Sequence, residues 1–310
     1  MAEIGVKRVS DLPDQHAFNM LAAKYGGVFF VPGLIAGAGA DVEQLAIIEG
    51  DAICGGFMVQ RIKLKGIPTI SNPAYHPHCS LFFVPRSNDS ESLKRFLEAI
   101  CNWLKKQSVK IITVSFPPEI TDVQPFIWGG FKSAVKYTYR FPFDGAEVLS
   151  KISSKRRKLI KDAEKNGVVV EHCGLTELLE GLHFSGQSKG FAVNDTAIAK
   201  ILSAGTAYNA NVNGKTIASA LFVDDEKSRY YLFGGADRNA NSGALSAIIY
   251  RSLCDAEMKG MKIFDFEGSM IPGVELFFRS FGGNLTPFFT IAKAPWWLSP
   301  LLRWKGKSEF

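Results

Sequence analysis

The sequence predicts an α/β protein of two similar halves, each a mixed, mostly antiparallel sheet flanked by helices. Three observations lead there. The chain has 310 residues, enough for about two domains. Its composition, 46% hydrophobic and 21% charged, is that of a protein with a packed core. Short β-rich runs alternate with amphipathic stretches, and their order in residues 1–150 recurs in 151–310.

In the first half, LAIIEGDAICGGFMVQRIK (45–63) holds two β-rich runs joined by a turn at Gly50-Asp51. A Pro/Gly/His loop is expected at 66–80. SESLKRFLEAICNWLKKQ carries apolar residues at 93, 96, 97, 100, 101 and 104, which is helical spacing, with Ser90 as N-cap. KIITVSF (110–116) reads as a buried strand, and WGGFKSAVKYTYRF (128–141) brings a glycine pair and a further strand.

The second half repeats the order. TELLEGLHFSGQ and NDTAIAKILSAG read as helices. AYNANVNGKTIASALFVDD and KSRYYLFGGAD read as strands, with a turn at Asn213-Gly214. SGALSAIIYRSLCDAEMKG (242–260) is a helix, KIFDFE a strand, VELFFRSFGG a short helix ending in glycine, and NLTPFFTIAK a last strand. Gly50-Asp51 matches Gly214-Lys215 at an offset of 164, and Lys110-Ile111 matches Lys262-Ile263 at 152. Drifting offsets suit a diverged duplication with unequal loops. Two unrelated α/β domains with the same element order are the alternative.

The formal charge is +6, and residues 151–165, KISSKRRKLIKDAEK, hold seven Lys/Arg against two Asp/Glu. The imbalance is concentrated at the junction of the halves, which suits one phosphate-bearing partner, or a solvated helix face. No run of 18 apolar residues is present, and the start lacks an apolar signal core. Five cysteines without a CxxC pair fit a reducing cytoplasm. His76-Pro77-His78-Cys79 has no distant partner pair at zinc spacing, so no metal is expected. The stretch 295–307 sets Trp296, Trp297, Leu298, Leu301, Leu302 and Trp304 beside Arg303, Lys305 and Lys307. Aromatics with cations suit contact with a membrane surface at its inner face, or a tail packed on the protein.

Three stretches carry a family likeness: SSKRRKLIKDAEKNGVVVE (153–171), YYLFGGADRNANSGALSAIIYRSLCDAEMKGMKIFDFEGS (230–269) and FFRSFGGNLTPFF (277–289). With the element order, they resemble a tandem GNAT (GCN5-related N-acetyltransferase) chain of the FemAB-like, Fem-type family, the aminoacyl transferases that build peptidoglycan cross-bridges. The resemblance implies an N-acyltransferase. It would move an acyl or aminoacyl group from a carrier, acyl-CoA or aminoacyl-tRNA, to an amine of a cell-envelope or polysaccharide precursor. The second half (151–310) would hold the donor and the first (1–150) the acceptor. The long helical arm of some Fem-type enzymes is missing. The acyl-CoA signature is stretched, running Arg238-Asn-Ala-Asn241-Ser242-Gly243-Ala244, so both donors stay open. A non-catalytic ligand-binding protein on the same fold is the alternative.

Within that frame, Ser242, Gly243 and Ala244 open a helix whose free N–H groups and dipole favour an anion, with Arg238 and Asn241 in the same loop. Asp265 and Glu267 alternate on a predicted strand and would share one face, as candidate bases for an attacking ammonium. Lys155, Arg156, Arg157, Arg279 and Lys293 are candidates for acceptor phosphate.

Overall fold

The computed structural model describes residues 3–85, 89–189, 192–237, 239–240, 243–268 and 270–304, with backbone alone at 89, 186–189, 301, 303 and 304. The first half contains β1 (Ile4–Arg8), α1 (Gln15–Tyr25), α2 (Pro32–Ala38), β2 (Val42–Glu49), β3 (Ala52–Leu64), β4 (Ile67–Ser71), β5 (Phe82–Phe83), α3 (Asp89–Lys105), β6 (Ile111–Ser115), α4 (Gln124–Trp128) and β7 (Lys132–Pro142). The second contains α5 (Val148–Lys151), α6 (Ser154–Lys165), β8 (Val169–His172), α7 (Leu175–Lys189), α8 (Asp195–Leu202), β9 (Gly205–Val212), β10 (Lys215–Asp224), β11 (Ser228–Ala236), α9 (Ala244–Met258), β12 (Ile263–Asp265), α10 (Pro272–Arg279), β13 (Asn284–Lys293) and α11 (Ser299–Trp304).

Packing groups the chain into two units. Unit 1 takes Met1–Val31, Ala38–Lys136 and Pro287–Phe310; unit 2 takes Pro32–Gly37 and Tyr137–Thr286. In unit 1 the strands are ordered β1-β2-β3-β4-β6-β13, with β5 added to β3. Only β4–β6 is parallel. In unit 2 the order is β8-β9-β10-β11-β12-β7, with only β11–β12 parallel. Order and direction match strand for strand. Each unit takes its final strand from the other half of the sequence: Ile291 pairs with Val114, and Phe141 with Phe264. Apart from the short segment 32–37, the units therefore part at 136/137 and 286/287, whereas the sequence suggested 150/151.

Local chemistry explains the elements. Asn213 and Gly214 have φ of 51° and 77°, the left-handed pair that a two-residue hairpin turn requires. Asp14 caps α1 through His16 N and Ala17 N, and Asn194 caps α8 through Ala197 N. The helical stripe of α3 is buried at Phe96, Leu97, Ile100, Cys101 and Leu104, against Phe57, Phe116 and Phe126 of the unit 1 core. Ser90, expected as its N-cap, lies inside the helix. The segment read as a loop at 66–80 contains β4. Pro68 has no N–H for a ladder, but its carbonyl still accepts from Lys110 N at 3.1 Å. The unit 2 core is built on Tyr208, Phe222, Ile248, Phe264, Phe266, Phe278 and Phe281.

Candidate functional site

In unit 2, β11 and β12 are paired only over Ser228↔Ile263, Arg229↔Phe264 and Tyr230↔Asp265. Two local causes part them. Phe266 N donates to Tyr139 O of β7 at 3.0 Å, so the chain after β12 keeps to β7. On the other side, the β10–β11 register shifts between Leu221↔Phe233 and Phe222↔Tyr231, a bulge that bends β11. β11 runs on to Ala236 and leads to the start of α9. Rings from these segments and α10 pack together: Tyr231–Phe278 at 5.6 Å, Phe266–Phe278 at 4.8 Å and Phe266–Phe281 at 5.8 Å. The end of β11 lies directly under α7. A Cβ on Gly235 would stand 2.1 Å from Gly181 O, so only glycine permits this approach.

Of the residues expected at the donor loop, Arg238, Asn241 and Ser242 lie outside the described residues. Gly243 is the N-cap of α9 and Ala244 its first residue, buried in the core. Gly243, as N-cap, has no side chain with which to cap this helix. Its first turn is instead met by Arg156. Arg156 Nη1 donates to Ser246 Oγ and Nε to Ser280 Oγ, both at 2.8 Å. The guanidinium stacks over Phe277 at 4.4 Å and Phe281 at 5.3 Å. Burial lowers its pKa from the ordinary arginine value, and among the described residues no carboxylate pairs with it. The start of α6 is held in place by Ser153, whose N donates to Ser280 O at 2.9 Å and whose Oγ accepts from Arg156 N at 3.4 Å.

Arg156 and its neighbours do not act together. Successive helical residues diverge by about 100°, so Arg156 turns inward with Ile160 and Ala163 while Lys155 is exposed. Arg157 faces a separate, solvent-open hollow of 640 Å³ that Lys158, Lys161 and Lys165 also line, with Glu147 and Asp162. Arg279 pairs with Glu275 at 3.3 Å, and Glu275 accepts from Tyr139 OH at 2.8 Å. Lys293 belongs to unit 1 and lies over the Phe131 ring.

Asp265 and Glu267 do not share a strand face. β12 ends at Asp265, and Glu267 has φ of 62°, followed by Gly268 at 150°, which breaks the alternation. Phe264 and Phe266, which flank Asp265, are both buried in the core. Asp265 is buried with both oxygens engaged. Oδ2 accepts from Arg140 Nε at 2.6 Å; Oδ1 accepts from Thr138 Oγ1 at 2.6 Å and from Glu267 N at 2.9 Å. Thr138 Oγ1 in turn accepts from Gly268 N at 3.1 Å. This is a scaffold that holds the 267–268 turn. Glu267 itself is partly exposed, and its charge contributes to raising the pKa of Tyr230, after burial and Asp225.

The sequence reading missed Thr138, Arg140, Ser246 and Ser280. Thr138 and Arg140 alternate within β7, a signal for one polar face, but their partner in β12 is set by a long-range pairing. The two serines are ordinary helix and turn residues by sequence.

Unit 1 repeats the parallel pair but fills its end. β4 and β6 pair over Thr69↔Ile111, Ile70↔Ile112 and Ser71↔Thr113. The chain then folds back. Asn72 Oδ1 accepts from Ser115 N at 2.9 Å, and Asn72 Nδ2 donates to Pro77 O at 3.1 Å. Cys79 N donates to Ser115 O at 2.9 Å, and Cys79 O accepts from Met58 N at 2.7 Å. Cys79 thus bridges β6 and β3 beyond the end of β4. Among the described residues no segment makes this pair of bridges in unit 2. His76 lies between Ala74 O and Phe29 O, and among the described residues no three ligand-type side chains converge on a metal position.

No family model matches the sequence, and no curated protein is similar to it. Solved structures are similar in fold. FemX is 14% identical with a TM-score of 0.64, over 92% of this chain and 96% of that one. L-PGS from Bacillus licheniformis is 12% identical with a TM-score of 0.64, over 96% and 98%. A tandem GNAT protein from the clavulanic acid biosynthesis pathway is 11% identical with a TM-score of 0.56, over 95% and 99%. The chain therefore has the tandem GNAT fold that these proteins share, the fold its sequence led us to expect.

Proposed function

We propose that the protein is an N-acyltransferase whose unit 2 holds the phosphate of an acyl carrier at the start of α9. The observation that carries this reading is Arg156: a partly buried guanidinium, held by two serine hydroxyls and two phenyl rings, with no described carboxylate to neutralise it. Such a group suits a phosphate, which it can meet bidentately. The acyl arm would follow the edge of β11 where β12 has left it. An acceptor amine would attack the carbonyl there. A C–N bond forms, the C–S or C–O bond to the carrier breaks, and backbone N–H groups stabilise the oxyanion. The ammonium proton would pass to the Glu267 carboxylate or to the departing thiolate or alkoxide. Asp265 and Thr138 would position Glu267 without touching the reactants. The shared fold supports a donor of either class, acyl-CoA or aminoacyl-tRNA, and an acceptor on a cell-envelope or polysaccharide precursor.

Isothermal titration with acetyl-CoA tests the donor side. Binding is expected for the native chain, with a loss of about tenfold or more in Arg156→Ala and in Gly243→Asp. The second variant places a carboxylate in the anion seat, and its thermal unfolding, measured alongside, separates lost binding from lost fold. No heat from the native chain removes the thioester. Filter binding with aminoacyl-tRNA then decides the other donor, and failure of both sinks the proposal. A non-catalytic binding protein is the second reading, favoured by the full engagement of Asp265. Carrier binding without turnover in the native chain, unchanged in Glu267→Gln, would select it.

A further inference from the structure

We propose that Trp296 and Trp297 form a docking element for the surface of an anionic lipid bilayer, an inference independent of acyl transfer. The segment that carries them is fixed. Leu298 and Leu302 are buried against Ile111 and Ala292 in unit 1. Leu298 N and Ser299 N both donate to Pro295 O, at 3.0 and 3.2 Å, and Leu302 N donates to Leu298 O at 3.1 Å. Immediately before these anchors, Trp296 is 86% exposed and Trp297 57% exposed. By contrast, Trp103 is partly buried against Phe57, at 5.6 Å between ring centroids.

An indole at such exposure stands out from the surface instead of lining a groove. A pair of protruding rings suits a deformable, interfacial phase better than a shape-matched protein. Tryptophan has the right chemistry for it, an apolar body with one N–H that hydrogen-bonds at headgroup depth. The sequence continues with Arg303, Lys305 and Lys307, three cations within five residues. Cations that follow interfacial aromatics in the sequence favour anionic headgroups, and the two signals together give reversible, salt-sensitive attachment.

The test uses the full chain with vesicles of phosphatidylcholine alone and of equimolar phosphatidylcholine and phosphatidylglycerol. Co-sedimentation is expected only with the second, and it should fall in high salt. Lipids brominated near the headgroup should quench the tryptophan emission. The double variant Trp296→Ser, Trp297→Ser should bind about tenfold more weakly. Its thermal unfolding should match that of the native chain, because both side chains are exposed. Absence of native binding to anionic vesicles, or equal pelleting of the variant, overturns the proposal. So does a native dimer that the variant converts to a monomer, since the face would then be a contact between copies.

Discussion

Asp265 Oδ1 accepts the backbone N–H of Glu267 at 2.9 Å, and that bond closes a turn in which Glu267 holds φ of 62°. A non-glycine residue there costs about 1–2 kcal/mol, which the surrounding bonds must outweigh. Asp265 also neutralises Arg140, whose side chain is largely buried. Asp265→Ala should therefore destabilise the protein by about 3–5 kcal/mol, because it removes a buried charge partner of Arg140 together with the two hydrogen bonds that Oδ1 accepts. Glu267→Gly relieves the positive φ, so it should cost far less stability than Asp265→Ala, while abolishing any role of the carboxylate in turnover. Urea unfolding of both variants separates the scaffold residue from the proposed proton acceptor. Equal destabilisation by the two would contradict the assignment.

Arg156 offers a sharper contrast, because its neighbours are controls. Arg156→Lys keeps the charge but loses the planar fork that reaches Ser246 and Ser280 together. Carrier affinity should drop about tenfold in Arg156→Lys and stay unchanged in Lys155→Ala, whose side chain is exposed. Calorimetric titration of the three proteins checks this. A loss shared equally by Lys155→Ala would mean that diffuse charge, and not the Arg156 seat, draws the ligand.

The repeated meander and central helix were legible because their apolar periods, two and 3.6, are local properties of the chain. The exchange of final strands was not. β7 and β13 carry similar alternation, and nothing nearby in sequence says that Ile291 belongs opposite Val114. The proposed anion seat was half legible. Glycine before a helix pointed to the start of α9, but a basic triplet hides which member turns inward until the helical phase set by Ile160 and Ala163 is applied. Strand alternation misplaced Glu267, because it cannot see that β12 ends two residues earlier.

Asp224 supplies a pH prediction. Burial pushes its carboxyl up, but the bidentate hydrogen bonds and charge of Arg229, with Lys259, outweigh this and leave it below the ordinary 3.8. A depressed folded pKa means that the unfolded chain protonates first. The stabilisation is thus complete above the unfolded value and is lost as pH falls through the folded one. Wild-type stability should decline from near pH 4 downward, and Asp224→Asn should show a flatter acid limb from a lower plateau. Denaturant midpoints between neutral and acid pH measure both. Parallel curves would show that Asp224 does not govern the acid limb.

The two units also predict a stoichiometry. In unit 1 the place beyond the end of β4 is taken by Cys79, bonded to Met58 and Ser115, and Asn72 ties that segment down through both ends of its amide. A carrier arm cannot pair there without displacing these bonds, so titration should give one carrier per chain. Burial raises the Cys79 pKa above the usual thiol range, so the native protein should resist alkylation at this residue. Asn72→Ala removes two bonds and should lower stability by about 1–3 kcal/mol. It should also open the segment often enough for Cys79 to react, which mass spectrometry after brief alkylation detects. Two carriers per native chain, or ready alkylation of native Cys79, would show that the segment is not the plug its hydrogen bonds make it.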